Sequence, residues 1–401
     1  MRILFASQEL PPETGWGGIG TYVDVLSEAL AAKGVEVHVL SVVEGQDPSR
    51  KEVAGVVVHR HPLPHVRGAH RLPPQAWRRV WLPVTVARLI RRLALGPSVV
   101  ECPEWMAEGL VLALRGTFPL VVRLHSSARQ LFPLTGQGKG LRGLDGRLSA
   151  WLEEASARRA NVVVSTRSNL DEVAARMSLD ERALHAIPYP VRLPPLAPMP
   201  DAAAPRVTFV GRLEPRKAPE VVLRAAPMVL AAVPDARFVF VGRDGIAPGA
   251  LPSTAWLWRE AERLGVAHAV ELTGQLDRTG VEDELRRATV CAFPSRWESF
   301  GNVVAEASGT GRPVVVSPIP PFRELVDDGV TGRLAPLDDA QAWGDALIDL
   351  LRDPQRAGAM GRAGSARIAG ISEPARVADL ALAAHEHAIE RWRRGERAAK
   401  R

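Results

Sequence analysis

Cysteine is nearly absent: of 401 residues only Cys102 and Cys291 carry a thiol. Two thiols in unrelated segments build neither a disulfide framework nor a metal-ligand spacing, which points to a reducing compartment. Long apolar runs are missing too. None approaches the roughly 18 residues that a membrane span needs, and no charged leader precedes a long apolar stretch. The expectation is a soluble, cytoplasmic protein. Lysine is scarce, occurring only at Lys33, Lys51, Lys139, Lys217 and Lys400; the other basic residues are arginine. No D-x-D pair falls in a loop suited to holding a metal on a diphosphate. Asp327-Asp328 and Asp338-Asp339 read as solvated pairs among helix ends and turns, so no metal site is expected. Nor is charge strongly one-sided. A net +6 over this length suits an anionic ligand or surface but is too weak to argue for nucleic acid.

What is present is an ordinary hydrophobic share of 46% and enough chain for two domains. Short apolar runs alternate with longer amphipathic ones. "RILFAS", "VEVHVLSV", "VVVHR", "SVVEC", "LVVRLHS" and "NVVVST" read as buried strands. "GTYVDVLSEALAAKG" places Val23, Leu26 and Leu30 at helical spacing and stops at Gly34. Such alternation predicts a parallel sheet covered on both faces. From Ile187 to Pro205 seven prolines interrupt it, which marks a linker. "RVTFVGRL" restarts the pattern, and "RFVFVGRDG", "VELTG", "TVCAFPS" and "PVVVS" continue it. The predicted class is α/β, two doubly wound Rossmann-like domains facing each other across a cleft. The expected divisions are 1–187, a linker at 188–205, 206–372, and a C-terminal helical segment at 373–401 that could cross back to the first domain. The last ten residues read as a solvated or frayed end.

The most informative stretch is "FPSRWESFGNVVAEASGTGRPVV". Glu298 closes a strand and Glu306 lies on the helix that begins near Phe300, with Gly301 and Asn302 in its first turn. Amides of a first helical turn lack internal partners and attract phosphate. Eight helical residues span at most ~12 Å, about the reach from the ribose of a nucleotide sugar to its hexose. The two carboxylates could therefore accept from two sets of hydroxyls. In "FVGRLEPRKAPEVVLRAA", Arg212 and Lys217 flank a strand-to-helix turn and can converge on one anionic group, which suits a diphosphate leaving group.

"GRLEPRK" followed some eighty residues later by "PSRWESFGNVVAEASGTGRPVV" resembles the retaining glycosyltransferases of the GT4 family, which have the GT-B fold. The likeness covers nearly the whole chain. It implies that Arg212 and Lys217 bind the donor diphosphate, Glu306 the ribose, and Glu298 the transferred sugar. It also implies that the amides of Phe300, Gly301, Asn302 and Val303 lie near the phosphates and sugar. Gly242, beside Arg243, and Gly274 with Gln275 would border the nucleotide. His125, at the end of "VVRLHSS", would lie by the reacting sugar, so the implied catalytic set is Glu298, His125, Arg212 and Lys217. Two positions depart from the family pattern. Ala218 stands where glycine usually follows the lysine, and Asn302 where leucine is common.

Gly15, Gly17 and Gly20 also fit the dinucleotide pattern G-x-G-x-x-G. Here "QELPPET" separates the strand from the glycines, whereas a dinucleotide loop turns tightly off its strand, and a lone match is a weak signal. The resemblance implies instead that Gly17 and Gly18 approach the donor diphosphate. An NAD(P)-dependent oxidoreductase using Gly15–Gly20 is the alternative of another class. Glu104 and Trp105, at the end of "SVVECPEW", suit a sugar-like acceptor, with Arg123, His125, His61 and His65 as further candidates. The implied reaction moves a hexose or N-acetylhexosamine from a nucleoside diphosphate sugar, UDP ahead of GDP, to an acceptor hydroxyl. It requires no cofactor or metal. A small-molecule acceptor is preferred over glycolipid or polysaccharide assembly. Expected partners are the small-molecule donor and acceptor and no nucleic acid. The basic region 65–93 offers a peripheral membrane contact, and the state is monomer or homodimer.

Overall fold

The computed structural model describes residues 1–14, 17–45, 47–64, 74–135, 143–200, 205–245 and 252–399. The chain divides into two compact units, Met1–Val191 with Pro374–Arg401, and Arg192–Glu373.

The first unit holds eight strands: β1 (Arg2–Ala6), β2 (Glu36–Val43), β3 (Ser49–Val53), β4 (Val56–Pro62), β5 (Val99–Pro103), β6 (Leu120–Arg123), β7 (Val162–Ser165) and β8 (Leu184–Ala186). They lie in the order β3-β4-β2-β1-β5-β6-β7-β8. Every pairing is parallel except β3 with β4. Ile3 sits opposite Val37 on one side and Val99 on the other, so the β-branched runs form the sheet centre. Such runs stay apolar on both faces because helices cover both. The sequence reading passed over β3, "SRKEV". It is an exposed edge strand whose polar side chains show no apolar run, a composition that discourages further pairing.

The second unit holds β9 (Arg206–Val210), β10 (Arg237–Val241), β11 (Val270–Gly274), β12 (Val290–Phe293), β13 (Val314–Val316) and β14 (Arg333–Leu334), ordered β11-β10-β9-β12-β13-β14 and all parallel. Its core joins Phe209, Phe238 and Phe240 to the buried Trp343, whose indole donates to the Pro336 carbonyl.

The C-terminal helix Pro374–Arg393 packs within the first unit. Its tail is not a frayed end, and the expectation of one is corrected. Ala398 N–H donates to the Ala160 carbonyl at 2.7 Å, and its own carbonyl accepts from Asp180 N–H at 2.6 Å. Arg391, 3% exposed, pairs with Asp180 and Glu396, both at 3.2 Å. A basic run reads as solvated until its acidic partners, over two hundred residues earlier in the case of Asp180, come beside it. Among the described residues no helix is long and apolar enough to cross a membrane. The helix Pro74–Arg92 covers most of the basic stretch, while residues 65–73 lie outside the described residues.

Candidate active site

In the second unit the candidate side chains follow the carboxyl ends of β9 and β12. Gly211 and Gly242 directly follow β9 and β10, and the two backbones approach so closely that a Cβ on Gly242 would lie 1.9 Å from the Gly211 carbonyl oxygen. Only glycine fits there. After Gly211 the chain folds into a turn in which Lys217 N–H donates to the Glu214 carbonyl at 2.9 Å. Ala218 then takes a left-handed conformation, φ 52°, just before the helix Pro219–Ala232. That geometry explains why glycine is usual at this position.

The turn delivers Lys217 and Arg216 to one carboxylate. Lys217 Nζ pairs with Glu298 Oε1, Arg216 Nη1 with Glu298 Oε2 at 3.2 Å, and Ser295 Oγ donates to Glu298 Oε1 at 2.8 Å. Arg216 also pairs with Glu214 at 2.8 Å. Burial alone would raise the Glu298 carboxyl. The Lys217 and Arg216 charges outweigh it and hold Glu298 below the usual range. Burial pulls the Lys217 ammonium down, against Glu298. Arg212 is exposed on the same turn.

The helix that follows β12 runs Asn302–Gly309 and is entered through Gly301, φ 108°. A Cβ on Gly301 would meet the Phe322 ring at 2.6 Å. Gly301→Ala should therefore lower stability by about 2–3 kcal/mol, from backbone strain plus overpacking, as read by denaturant unfolding. The Asn302 Oδ1 is buried with no hydrogen-bond partner among the described residues. Glu306, on this helix, is half-buried, and burial pushes its carboxyl up to about 7 against the pull of Arg278 and Lys217. Gly274, φ 74°, ends β11 and accepts from Gly242 N–H at 2.9 Å, and Gln275 follows it exposed. Phe300 is 3% exposed and Val303 half-buried. Of the residues named from the sequence, the structure brings Lys217 onto Glu298, and it adds Arg216 beside Glu298 and the Arg278 charge near Glu306.

In the first unit the helix Gly18–Ala32 starts from Gly17. Glu9 reaches its first turn, where Gly20 N–H donates to Glu9 Oε2 at 3.3 Å. Gly15 and His65 lie outside the described residues. His125, 2% exposed, follows β6 and engages the Tyr189 hydroxyl through Nδ1 at 2.6 Å. Glu104 is turned inward. Its two oxygens each accept from His125 N–H at 2.8 Å, and burial raises its carboxyl to about 7. Trp105 packs on the core and edge-on to Phe132. Arg123 is fully buried. Glu104 and Arg123 are therefore interior groups rather than parts of an open acceptor surface, because the strand ends that carry them are covered. His61 is partly exposed at the end of β4.

The family described as "Glycosyl transferases group 1" matches residues 204–353, and the one described as "Glycosyl transferase 4-like domain" matches residues 17–190. The D-inositol 3-phosphate glycosyltransferase of Segniliparus rotundus is 29% identical over 406 residues, spanning 96% of this chain and 88% of that one. The phosphatidyl-myo-inositol mannosyltransferase of Mycobacterium leprae is 31% identical over 349 residues, 84% of each chain. Among solved structures, Anabaena HepE in complex with UDP and glucose superposes with a TM-score of 0.70 at 18% identity, covering 95% of this chain and 98% of that one. The chain belongs to the group 1 glycosyltransferases, enzymes of the GT4 type with the GT-B fold.

Proposed function

We propose that this glycosyltransferase moves a hexose or N-acetylhexosamine from a UDP-sugar to a hydroxyl of a small cyclitol-like acceptor, with retention and without a metal ion. The carrying observation is the Glu298 carboxylate clamped by Lys217 and Arg216 beside the start of the helix Asn302–Gly309. Lys217 and Arg212 neutralise the diphosphate as the glycosidic bond breaks, the task a divalent cation performs elsewhere. The amides at the helix start bind the same phosphates. Glu298 accepts from sugar hydroxyls, and Glu306 from the ribose. Gly242, Gly274 and Gln275 border the nucleotide. The departing phosphate takes the acceptor proton, so no side-chain nucleophile is needed. The HepE complex favours UDP as the nucleotide, and the inositol in the names of both relatives favours a cyclitol.

A thermal-shift screen of UDP-, GDP- and ADP-sugars tests the donor. A saturating UDP-sugar should raise Tm by about 5 °C or more, and no shift with any nucleotide sugar would refute the reading. Transfer to inositol, inositol phosphate and phosphatidylinositol vesicles then sorts the acceptor. Transfer confined to vesicles would favour glycolipid assembly.

Glu306 supplies a pH test. Its carboxyl titrates at about 7, and only the ionised form accepts fully from two ribose hydroxyls. As pH rises from 6 to 8 the KM for the donor should fall about tenfold, following the ionised fraction. Glu306→Gln should flatten that dependence and leave binding weak throughout. A pH-independent KM in the native enzyme would refute the ribose role.

A further inference from the structure

Beneath His125 lies a buried network that joins five parts of the first unit. Tyr22, on the helix Gly18–Ala32, donates its hydroxyl proton to Glu101 of β5 at 2.7 Å. The other oxygen of Glu101 lies 2.6 Å from Nε2 of His385, on the C-terminal helix. The Arg123 guanidinium lies over the Tyr22 ring at 4.4 Å and the Tyr189 ring at 4.6 Å. It is 0% exposed, and its three nitrogens make no hydrogen bond among the described residues. A guanidinium so placed is held by two aromatic faces. The His125 ring stands edge-on to both tyrosines, at 5.3 Å from Tyr22 and 5.4 Å from Tyr189.

The His125–Tyr189 contact has a preferred direction. A phenol is a far stronger acid than a neutral imidazole N–H, so the phenol donates and the sp² nitrogen accepts. The Arg123 cation over the Tyr189 ring strengthens the phenol as a donor. With Nδ1 accepting, the single ring proton must sit on Nε2.

We propose that Tyr189 and Arg123 are positioning residues that keep His125 a neutral imidazole with its proton on Nε2, ready to donate a hydrogen bond to a substrate hydroxyl. The substrate part rests on the transferase reading above; the state of the ring does not. Burial, reinforced by the Arg123 charge, pushes the imidazole well below its usual range. The groups around the ring fit this state. Burial and the Glu101 charge push the Tyr22 phenol up, Glu104 is engaged with the backbone N–H of His125, and Glu101 is shared between Tyr22 and His385. None offers His125 a carboxylate that would stabilise an imidazolium.

The test is ¹⁵N NMR of the full-length protein labelled in histidine, with and without substitution. In the native protein the His125 signals should show protonated Nε2 and bare Nδ1, with no titration between about pH 8 and 5.5. Tyr189→Phe removes one oxygen and should give a mixture of tautomers. It should also lower kcat about tenfold, the cost of one lost hydrogen bond, with donor KM within about twofold. Arg123→Met removes the neighbouring charge, so His125 should protonate at higher pH and the acid limb of the rate profile should move up with it. A proton on Nδ1 in the native protein, an ordinary near-neutral titration, or an unchanged tautomer in Tyr189→Phe would overturn the proposal. Should Arg123→Met fail to fold, the native spectrum and Tyr189→Phe still decide it. Absence of transfer from UDP-sugars to the inositol acceptors, with the spectra as expected, would refute the proposed substrates while leaving the state of the ring established.

Discussion

Lys217→Ala should lower kcat by about 10³-fold, the scale reached when a preorganised electrostatic contact to developing charge is removed. The Lys217 ammonium is mostly covered and is held by Glu298, and burial has already made it a less comfortable cation. A diphosphate brings more negative charge than Glu298 alone and would draw the ammonium onto the leaving group, while Arg216 and Ser295 keep the Glu298 carboxylate paired. The fold should survive, because Arg216 and Ser295 still satisfy the Glu298 carboxylate after the lysine is gone. Donor-concentration series and thermal melts on the same preparation separate the two effects. A variant that folds and turns over within tenfold of the native rate would remove Lys217 from the chemistry.

Much of this site was legible because its signals are local. Glu298 and Glu306 sit on one strand-to-helix junction, and Lys217 sits on another, so sequence spacing places them. The α/β class was legible for the same reason: buried parallel strands such as β1, β7 and β13 are unbroken β-branched or apolar runs. The partners of those residues were not legible. Whether Arg212 or Arg216 meets Glu298 is decided by the turn that bonds Lys217 N–H to Glu214, a geometry with no pattern of its own. Arg278 reaches Glu306 from a helix following a different strand. Glu104 and Arg123 looked like surface groups because strand ends in this class carry ligands. What buries Arg123 is Tyr22, Tyr189 and their surroundings, distant in sequence. The glycine pattern at 15–20 was a decoy. Gly17 and Gly20 lie at the start of the helix Gly18–Ala32, ten or more residues after β1, and membership of the glycosyltransferase family replaces the dehydrogenase reading.

Glu298→Gln should be at least as damaging as Lys217→Ala, and it should leave a different signature. The substitution keeps the shape of the side chain and removes the charge that two cations share. Lys217 and Arg216 then face each other with no carboxylate between them, and Arg216 keeps the Glu214 carboxylate and the Trp297 carbonyl. Removing one partner of a well-buried ion pair costs about 3–5 kcal/mol; here the side chains stay 9–14% exposed, so the lower part of that range applies. The pH dependence gives the sign. In the native protein the Glu298 carboxyl is held below its unfolded value, so its contribution to stability is complete above the ordinary glutamate range and is lost as pH falls through the folded value. Glu298→Gln has no such contribution to lose. Its stability deficit should be full at pH 7 and should shrink on acidification. Lys217→Ala should show only part of that convergence, because Arg216 still holds Glu298 low. A deficit for Glu298→Gln that stays constant from pH 7 into the acid range would mean that the carboxylate is not the counter-ion of these cations, and the donor site built on that clamp would fall with it.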